Sequence, residues 1–305
     1  MLPDCDQSKT GTVQQSASVT SDRQVIVLCA DDFGLSAGVS EAIAGLVEHG
    51  RLSATGAMTG MAGWRRHGPD LRRLVAQHPA DVGLHLTLTG QRPLTAAKGL
   101  AQDARLPGIG TLTRRAFAGL LPAGSVRDEL RAQLDAFEEV WGAPPDFLDG
   151  HQHAHLLPVV RRVVVEELAV RYRAGSVWLR SCTEAPAAVL ARGIAVHKAA
   201  AIGTLGFGLP AAAARAGIPT NDSFRGLYGF TDTVPYRALF RRFLRGRGRR
   251  VLVHCHPGRV DAELRQLDPL LAPREWELAY LASDTCGDDL TEDGVRLGRF
   301  RETGA

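Results

Sequence analysis

The chain has 305 residues, a formal net charge of +3, and 45% hydrophobic and 23% charged residues, a composition typical of a globular protein with a sizeable core. No apolar run reaches the roughly 18 residues of a transmembrane helix, and the N-terminus lacks the pattern of a secretory signal. The basic residues form no long tract, so nucleic acid is not expected as a partner. Five dispersed cysteines without a CxxC pair favour a reducing, cytoplasmic location.

Apolar runs alternate with helical patterns along most of the chain. Strands are predicted at 25–30, 52–58, 82–88, 147–149, 177–180, 194–198 and 251–255. Helices are predicted at 36–48, 69–77, 125–141, 158–172 and near Ala211, with Ser36 as an N-cap. The basic run at 241–250 is predicted to be a helix end that leads into the last strand. This alternation indicates an α/β fold, either a parallel sheet or a (β/α) barrel.

Composition also suggests a domain plan. Residues 1–22 are polar and rich in Ser, Thr and Gln, and are predicted to be a disordered leader. Residues 23–290 are predicted to form a single domain, followed by a C-terminal tail at 291–305. The segment at 90–121 is rich in Gly, Pro and Thr. An insertion of this length in a compact domain is often a substrate loop.

Polar side chains stand at or near the carboxyl end of several predicted strands. In α/β folds that end of the sheet carries the active site, so these side chains are expected to meet there. They are Asp31, Asp32, His85, Asp149, His151, Arg180, His254 and His256.

Three histidines at alternate positions follow Asp149, and imidazole is the commonest protein ligand for zinc and similar ions. If the segment is extended, His151, His153 and His155 share one face. If it is helical, His151 and His155 are neighbours and His153 points away. In either geometry one ion is expected to use one or two of them. The alternative is a solvated polar loop.

The other candidates each have a structural alternative. Asp31 and Asp32 can divide cation binding and proton transfer between them, or one of them can cap the next helix. His85 lies in an apolar strand, where a hydrogen-bonded core histidine is common. His256 precedes Pro257-Gly258 at a strand end, and a free imidazole there suits general acid catalysis near neutral pH.

Four motifs occur in the order found in the YdjC/ChbG-type (HpnK-like) carbohydrate deacetylases, and the chain resembles that family from about Gln24 to about Ser283. The motifs are ADDFGLS at 30–36, GLHLTL at 83–88, LDGHQHAH at 148–155 and HPG at 256–258. The resemblance implies a distorted, TIM-like (β/α) barrel. It also implies a deacetylase that uses a divalent metal and acts on N-acetylated sugars, with chito-oligosaccharides as the best-known class.

Carried over by position, the resemblance assigns roles to individual residues. Asp32, His85 and His151 match the metal ligands. Asp31 matches the catalytic base, His256 the acid, and Arg180 an arginine that steadies the base. His153, His155 and Asp149 fall near the metal or the substrate. The family is usually described with Mg²⁺, whereas imidazole ligands suit Zn²⁺, Co²⁺ or Ni²⁺ better. A homodimer is expected from the family alone.

Two other functions remain open on the sequence. A metal-dependent phosphoesterase on a similar barrel would commonly use two ions and more carboxylate ligands, and it would release phosphate rather than acetate. A non-catalytic sugar-binding relative would keep the barrel without turnover.

Overall fold

The computed structural model describes residues 23–231, 233–246 and 248–304. The predicted leader at 1–22 lies outside them. Within these residues the strands are Gln24–Phe33 (β1), Ala54–Ala57 (β2), Asp81–Leu86 (β3), Phe147–Gly150 (β4), Trp178–Leu179 (β5), Ser223–Arg225 (β6), Val251–Cys255 (β7) and Val295–Leu297 (β8).

Helices follow most of the strands and pack outside the sheet. They are Ala37–Glu48 (α1), Ala62–Val75 (α2), Ile109–Phe117 (α3), Ala123–Trp141 (α4), Val160–Arg171 (α5), Pro186–Arg192 (α6), Val196–Gly206 (α7), Leu209–Arg215 (α8), Tyr236–Leu244 (α9), Leu264–Leu267 (α10), Ala272–Leu281 (α11) and Asp284–Glu292 (α12). Two 3₁₀ segments lie at His151–Leu156 and Phe300–Glu302. As predicted, the Ser36 side chain caps α1 by accepting the N–H of Val39. No helix in the described part of the chain is both long and apolar enough to cross a bilayer.

The strands pair in parallel, and the sheet curls round on itself. Their order is β5-β4-β3-β2-β1-β7-β6, and β8 pairs with the beginning of β1. Leu179 on β5 forms a parallel bridge with Thr220, just before β6, and its N–H donates to the carbonyl of Pro219 at 2.8 Å. This contact links the two outer edges. The fold is therefore an α/β, distorted (β/α) barrel, which confirms the predicted fold class.

The central strand β1 is buried on both faces from residue 26 to residue 33. It lies between β2 and β7, and its apolar sequence fits a parallel strand covered on both sides. The register with β2 shifts between Ala30 and Phe33. Such a bulge re-aims side chains, and here it falls at Asp31 and Asp32. Both carboxylates therefore reach the same end of the barrel.

Several elements differ from the sequence prediction. The strand predicted at 194–198 is wrong, because α7 begins at Val196. Its β-branched residues are followed by three alanines, and alanine is the strongest helix former. The prediction missed β6, β8, α11 and α12. The segment at 90–121 contains α3, and β8 lies in the segment predicted to be a tail.

The basic run has a structural role in the described residues. Helix α9 ends at Leu244 and β7 begins at Val251, as the sequence predicted. Arg241 pairs with Asp293 at 3.0 Å, and Arg237, one turn earlier in α9, pairs with Asp289 at 2.9 Å. These ion pairs join α9 to the C-terminal part of the chain at α12 and the residue that follows it.

Candidate active site

The predicted site residues meet at the carboxyl end of the barrel strands. Asp31 and Asp32 are on β1, His85 on β3, Asp149 on β4 and His254 on β7. Arg180 and His256 follow β5 and β7 directly, and His151 begins the 3₁₀ segment after β4. Parallel strands bring their carboxyl ends to one edge, which explains why residues far apart in sequence converge here.

Asp32, His85 and His151 form a compact group of potential metal ligands. One donor atom from each lies within 4.8 Å of the other two. Asp32 Oδ1 is 3.3 Å from His85 Nε2 and 2.9 Å from His151 Nδ1. Asp32 and His85 are buried, whereas His151 is partly exposed to the cavity. One carboxylate and two imidazoles with their donor atoms this close together are a donor set suited to a divalent ion.

Asp149 fixes the orientation of the His85 ring. Its Oδ1 lies 2.6 Å from His85 Nδ1, and the two residues are directly paired across β3 and β4. A proton on Nδ1 leaves Nε2 free to bind a metal, as is common for metal-bound histidines. Burial lowers the pKa of His85, but the carboxylates of Asp149 and Asp31 outweigh burial and raise it to about 10. The carboxylates around His85 therefore favour a positive charge at the His85 ring.

Gly56 on β2 leaves the space that this histidine–carboxylate pair occupies. A Cβ at this position would lie 3.1 Å from His85 Nδ1 and 3.3 Å from Asp149 Oδ1. Such distances are tighter than ordinary van der Waals contact. A larger residue would therefore press on the hydrogen bond that orients His85.

Arg180 holds the second carboxylate, Asp31. Its Nη1 donates to Asp31 Oδ2 at 2.8 Å, and its Nη2 donates to Asp31 Oδ1 at 2.6 Å. The same Nη2 lies 2.5 Å from Asp149 Oδ2 and 3.1 Å from the Cys29 sulfur. Burial raises the pKa of Asp31, but the Arg180 guanidinium together with His85 and His256 outweighs burial and holds that pKa well below its usual range. Asp31 is therefore an ionised carboxylate at neutral pH.

His256 lies near the same oxygen of Asp31 that Arg180 Nη1 contacts. Its Nε2 is 4.0 Å from Asp31 Oδ2, and its Nδ1 has no hydrogen-bond partner among the described residues. Burial lowers the pKa of His256 to about 4. The ring is therefore neutral at pH 7 in the resting protein, and it must gain a proton before it can donate one.

The 3₁₀ segment separates the three clustered histidines. Gln152 and His153 have positive φ angles of 52° and 58°, so the segment is neither extended nor α-helical. His151 faces Asp32, and His153 lines the cavity beside the His254 ring. His155 is fully buried, with Nε2 at 3.1 Å from the carbonyl oxygen of Arg180. Among these histidines, the structure therefore brings only His151 into the compact ligand group.

A cavity of about 680 Å³ opens over these residues. The two aspartates, His85, His151 and His256 lie at its polar end. Its walls are largely apolar and are contributed by α3, α7, the residue after the 3₁₀ segment, the loop between β6 and α9, and the residues around α11. They include Ile109, Leu157, Ile202, Leu205, Phe230 and Leu270.

Two residues at the site were missed by the sequence reasoning. Arg274 contacts Asp32, and Glu277 accepts a hydrogen bond from the backbone N–H of His256. Both lie on α11, a helix that was not predicted. Their spacing of three residues places them on one helix face, but nothing in that spacing indicates which strand ends the face would meet.

Comparison with known proteins identifies the family. A model of the YdjC-like protein family matches residues 25–292. A chitooligosaccharide deacetylase from Yersinia pestis (strain Pestoides F) is 32% identical over 281 residues, which cover 91% of this chain and 98% of the relative. A relative of the same name from Yersinia pseudotuberculosis serotype O:1b has the same identity and coverage.

Among solved structures, a protein from Enterococcus faecalis described as a cellobiose-phosphate cleavage protein has the same fold. It aligns with a TM-score of 0.68 and 20% identity, over 92% of this chain and 98% of that protein. At this identity the similarity supports the fold alone. The match to the family model over most of the sequence shows that the chain belongs to the YdjC-like protein family.

Proposed function

We propose that this chain is a metal-dependent carbohydrate deacetylase that removes N-acetyl groups from acetylated amino sugars and releases acetate. The observation that carries the proposal is the Asp32–His85–His151 group beside the ionised Asp31. The relatives named chitooligosaccharide deacetylases support chito-oligosaccharides as the substrate class. The cavity above the group gives an amino sugar access to it.

The residues present fit a single divalent ion. His85 offers Nε2 because Asp149 occupies its Nδ1, and Asp32 offers Oδ1 between the two imidazoles. When bound, such an ion supplies Lewis acidity, which polarises the amide carbonyl and acidifies a water molecule. Two imidazoles favour Zn²⁺, Co²⁺ or Ni²⁺, while the family resemblance favours Mg²⁺.

Asp31 acts as the general base in this proposal. The ion pair with Arg180 keeps Asp31 ionised. The two parallel hydrogen bonds from Arg180 also fix the plane of the Asp31 carboxylate. Each oxygen keeps a further lone pair that can accept the proton of the attacking water. Arg180 is therefore the residue that orients the base.

His256 acts as the general acid. It is neutral in the resting state, so the proton that it gives to the departing amine must first be supplied. Asp31 Oδ2 lies 4.0 Å from His256 Nε2, and a small movement would bring the two into hydrogen-bond distance. A proton taken from water by Asp31 can therefore reach the amine through His256. The products are acetate and a free amino sugar.

The arrangement of Arg180 favours a deacetylase over a phosphoesterase with two metal ions. A second group of potential ligands, Cys29, Asp31 and Asp149, lies beside the first. The Arg180 guanidinium occupies it, with contacts of 2.6, 2.5 and 3.1 Å to the two carboxylates and the sulfur. A guanidinium in that position supplies the positive charge that a second ion would bring.

An acetate-release assay tests the proposed function. The metal-free protein is incubated with N-acetylglucosamine oligomers and, separately, Mg²⁺, Mn²⁺, Co²⁺, Ni²⁺ or Zn²⁺. Acetate release with at least one ion is expected. Asp31→Asn should abolish turnover while retaining metal, whereas the exposed Asp128→Asn should keep both.

Three outcomes would contradict parts of the proposal. Ligand binding without acetate release, under every ion and with every acetylated sugar, would indicate a sugar-binding relative. Phosphate release from sugar phosphates without acetate would indicate a phosphoesterase. Loss of metal from Asp31→Asn would mean that the roles of Asp31 and Asp32 are reversed.

A further inference from the structure

Helix α11 packs directly behind the site and contacts two of its parts. Arg274, in its first turn, reaches Asp32, and Glu277 reaches the turn that carries His256. Both side chains are fully buried. The deacetylase mechanism requires the parts that they touch but assigns neither residue a role.

Arg274 is shared between two carboxylates. Its Nη2 lies 2.6 Å from Asp32 Oδ2 and 2.7 Å from Asp268 Oδ2, and its Nε donates to the carbonyl of Leu270 at 3.1 Å. The guanidinium is therefore held from its own side of the cavity by Asp268 and Leu270. The Arg274 guanidinium is therefore a fixed hydrogen-bond donor to Asp32.

Because of the contact with Arg274, the two oxygens of Asp32 have different partners. Oδ2 is taken by Arg274, whereas Oδ1 faces His85 Nε2 and His151 Nδ1. Asp32 also has a φ angle of 73°, a conformation that is uncommon for residues other than glycine. Backbone strain of this kind persists only where surrounding contacts hold it in place, and Arg274 is one such contact.

Glu277 fixes the backbone at His256. Its Oε2 accepts the His256 N–H at 2.5 Å, and its Oε1 accepts the Tyr228 hydroxyl at 2.7 Å. The carbonyl of Arg274 accepts the N–H of Gly258 at 3.2 Å, which ties the other end of the same turn to α11. The His256-Pro257-Gly258 turn is therefore attached to the helix at two points.

We propose that Arg274 and Glu277 are positioning residues that set the distance between the metal ligand and the general acid. Arg274 makes Asp32 a one-oxygen ligand by occupying Oδ2, and Glu277 holds the His256 ring over the substrate. The inference rests on the proposed function, because it assigns these roles to Asp32 and His256. One rigid helix turn links the two, so metal and acid keep a fixed separation.

Binding of Co²⁺ tests the role proposed for Arg274 without relying on activity. In Arg274→Met, Oδ2 is free and the nearby positive charge is gone. Co²⁺ should then bind at least as tightly as in the parent protein, with a changed visible spectrum that reports a second oxygen ligand. Turnover should fall by up to about 100-fold, because a displacement of about 1 Å at the reacting groups can have an effect of this size. Arg274→Lys should restore part of the parent spectrum, and the exposed Arg265→Met should change neither property.

The Co²⁺ result separates positioning from simple loss of structure. A purely structural role predicts weaker Co²⁺ binding together with lost turnover, and that result would overturn the Arg274 arm. An unchanged spectrum and unchanged turnover would overturn it too. If the parent protein releases no acetate with any ion, the proposed function fails, but the spectrum of Arg274→Met still reports how Asp32 binds.

A double-mutant cycle tests the Glu277 arm. Glu277→Ala should lower kcat by at least about tenfold, with KM and Co²⁺ affinity within twofold of the parent values, and Glu277→Gln should recover part of the loss. In the His256→Ala background the same substitution should have little further effect, because residues that act through one another are not additive. Glu275→Gln is the matched control, because Glu275 lies on the same helix and, among the residues that the structure describes, accepts only the N–H of Val260 at 3.4 Å. The role of Glu277 would be refuted if the kcat losses of Glu277→Ala and His256→Ala multiplied in the double variant, or if Glu277→Ala left kcat unchanged.

Discussion

His151 Nδ1 lies 2.9 Å from Asp32 Oδ1, although 119 residues separate them in sequence. His151 begins a 3₁₀ segment after β4, and Asp32 lies at the bulged end of β1. The barrel brings these two strand ends together, and His85 completes the group from β3 between them. The site is thus a product of the parallel strand order rather than of any one motif.

Replacing His151 should remove metal binding without unfolding the protein. His151→Ala deletes one of three donors from a partly exposed position, so little core packing is lost. We expect acetate release to be lost and metal affinity to fall by more than roughly 10–100-fold, which is the typical loss when a residue that only hydrogen-bonds to a metal ligand is replaced. Isothermal titration with Co²⁺ or Zn²⁺ measures the affinity. His49→Ala, at an exposed helix end, is the control. Parent-like affinity in His151→Ala would remove His151 from the ligand set.

Asp149→Asn should weaken metal binding indirectly. The amide cannot hold His85 Nδ1–H as a carboxylate does, so the ring loses its orientation and some of its basicity. A fall of about 10- to 100-fold in metal affinity is expected, as for other partners of metal-bound histidines. Titration of the metal-free variant measures it. An affinity equal to that of the parent would mean that the hydrogen bond does not orient His85.

Arg180→Met should destabilise the metal-free protein. It leaves Asp31 and Asp149 buried without their shared positive charge. Removing one partner of a buried ion pair typically lowers the free energy of unfolding by about 3–5 kcal/mol. Urea unfolding measures the change. The exposed Arg65→Met, which loses a surface pair with Glu139, should stay within experimental error. Equal effects of the two substitutions would contradict the structural account of Arg180.

Asp81 should make stability depend on pH well away from the site. Burial, followed by the charge of Asp146, raises the pKa of Asp81 from 3.8 to about 7. The folded state therefore binds this proton more tightly than the unfolded chain, so Asp81 by itself contributes a loss of stability as pH rises from about 4 to 7. Asp81→Asn lacks this contribution and can still accept the N–H of Phe300, so its free energy of unfolding relative to that of the parent should rise with pH over this range. Urea midpoints across this range test it, and an identical slope in the variant would reject the assignment.

The sequence predicted the parts of the site that lie on buried strands. Continuous apolar runs marked β1, β3 and β7, and their polar ends marked Asp31, His85 and His256. The geometry of the histidine cluster was left open, because the left-handed residues Gln152 and His153 follow no simple periodicity. Tertiary contacts determine that segment.

The elements that the sequence did not predict are either very short or make their important contacts with residues far away in sequence. Strands β6 and β8 have three residues each, too few for a hydrophobic period to appear. Helix α11 has an ordinary pattern, but its function depends on contacts with Asp32, 242 residues away from Arg274 in sequence. Such a contact can be found only from the folded structure.

The guanidinium of Arg180 has a consequence for how activity should respond to metal supply. The positive charge that Arg180 places beside Asp31 is covalently part of the chain and cannot dissociate. Under the proposed function only one ion would have to be loaded for turnover, so activity should rise hyperbolically with metal concentration and without cooperativity. Scarcity of the ion would lower the fraction of active molecules in simple proportion to occupancy.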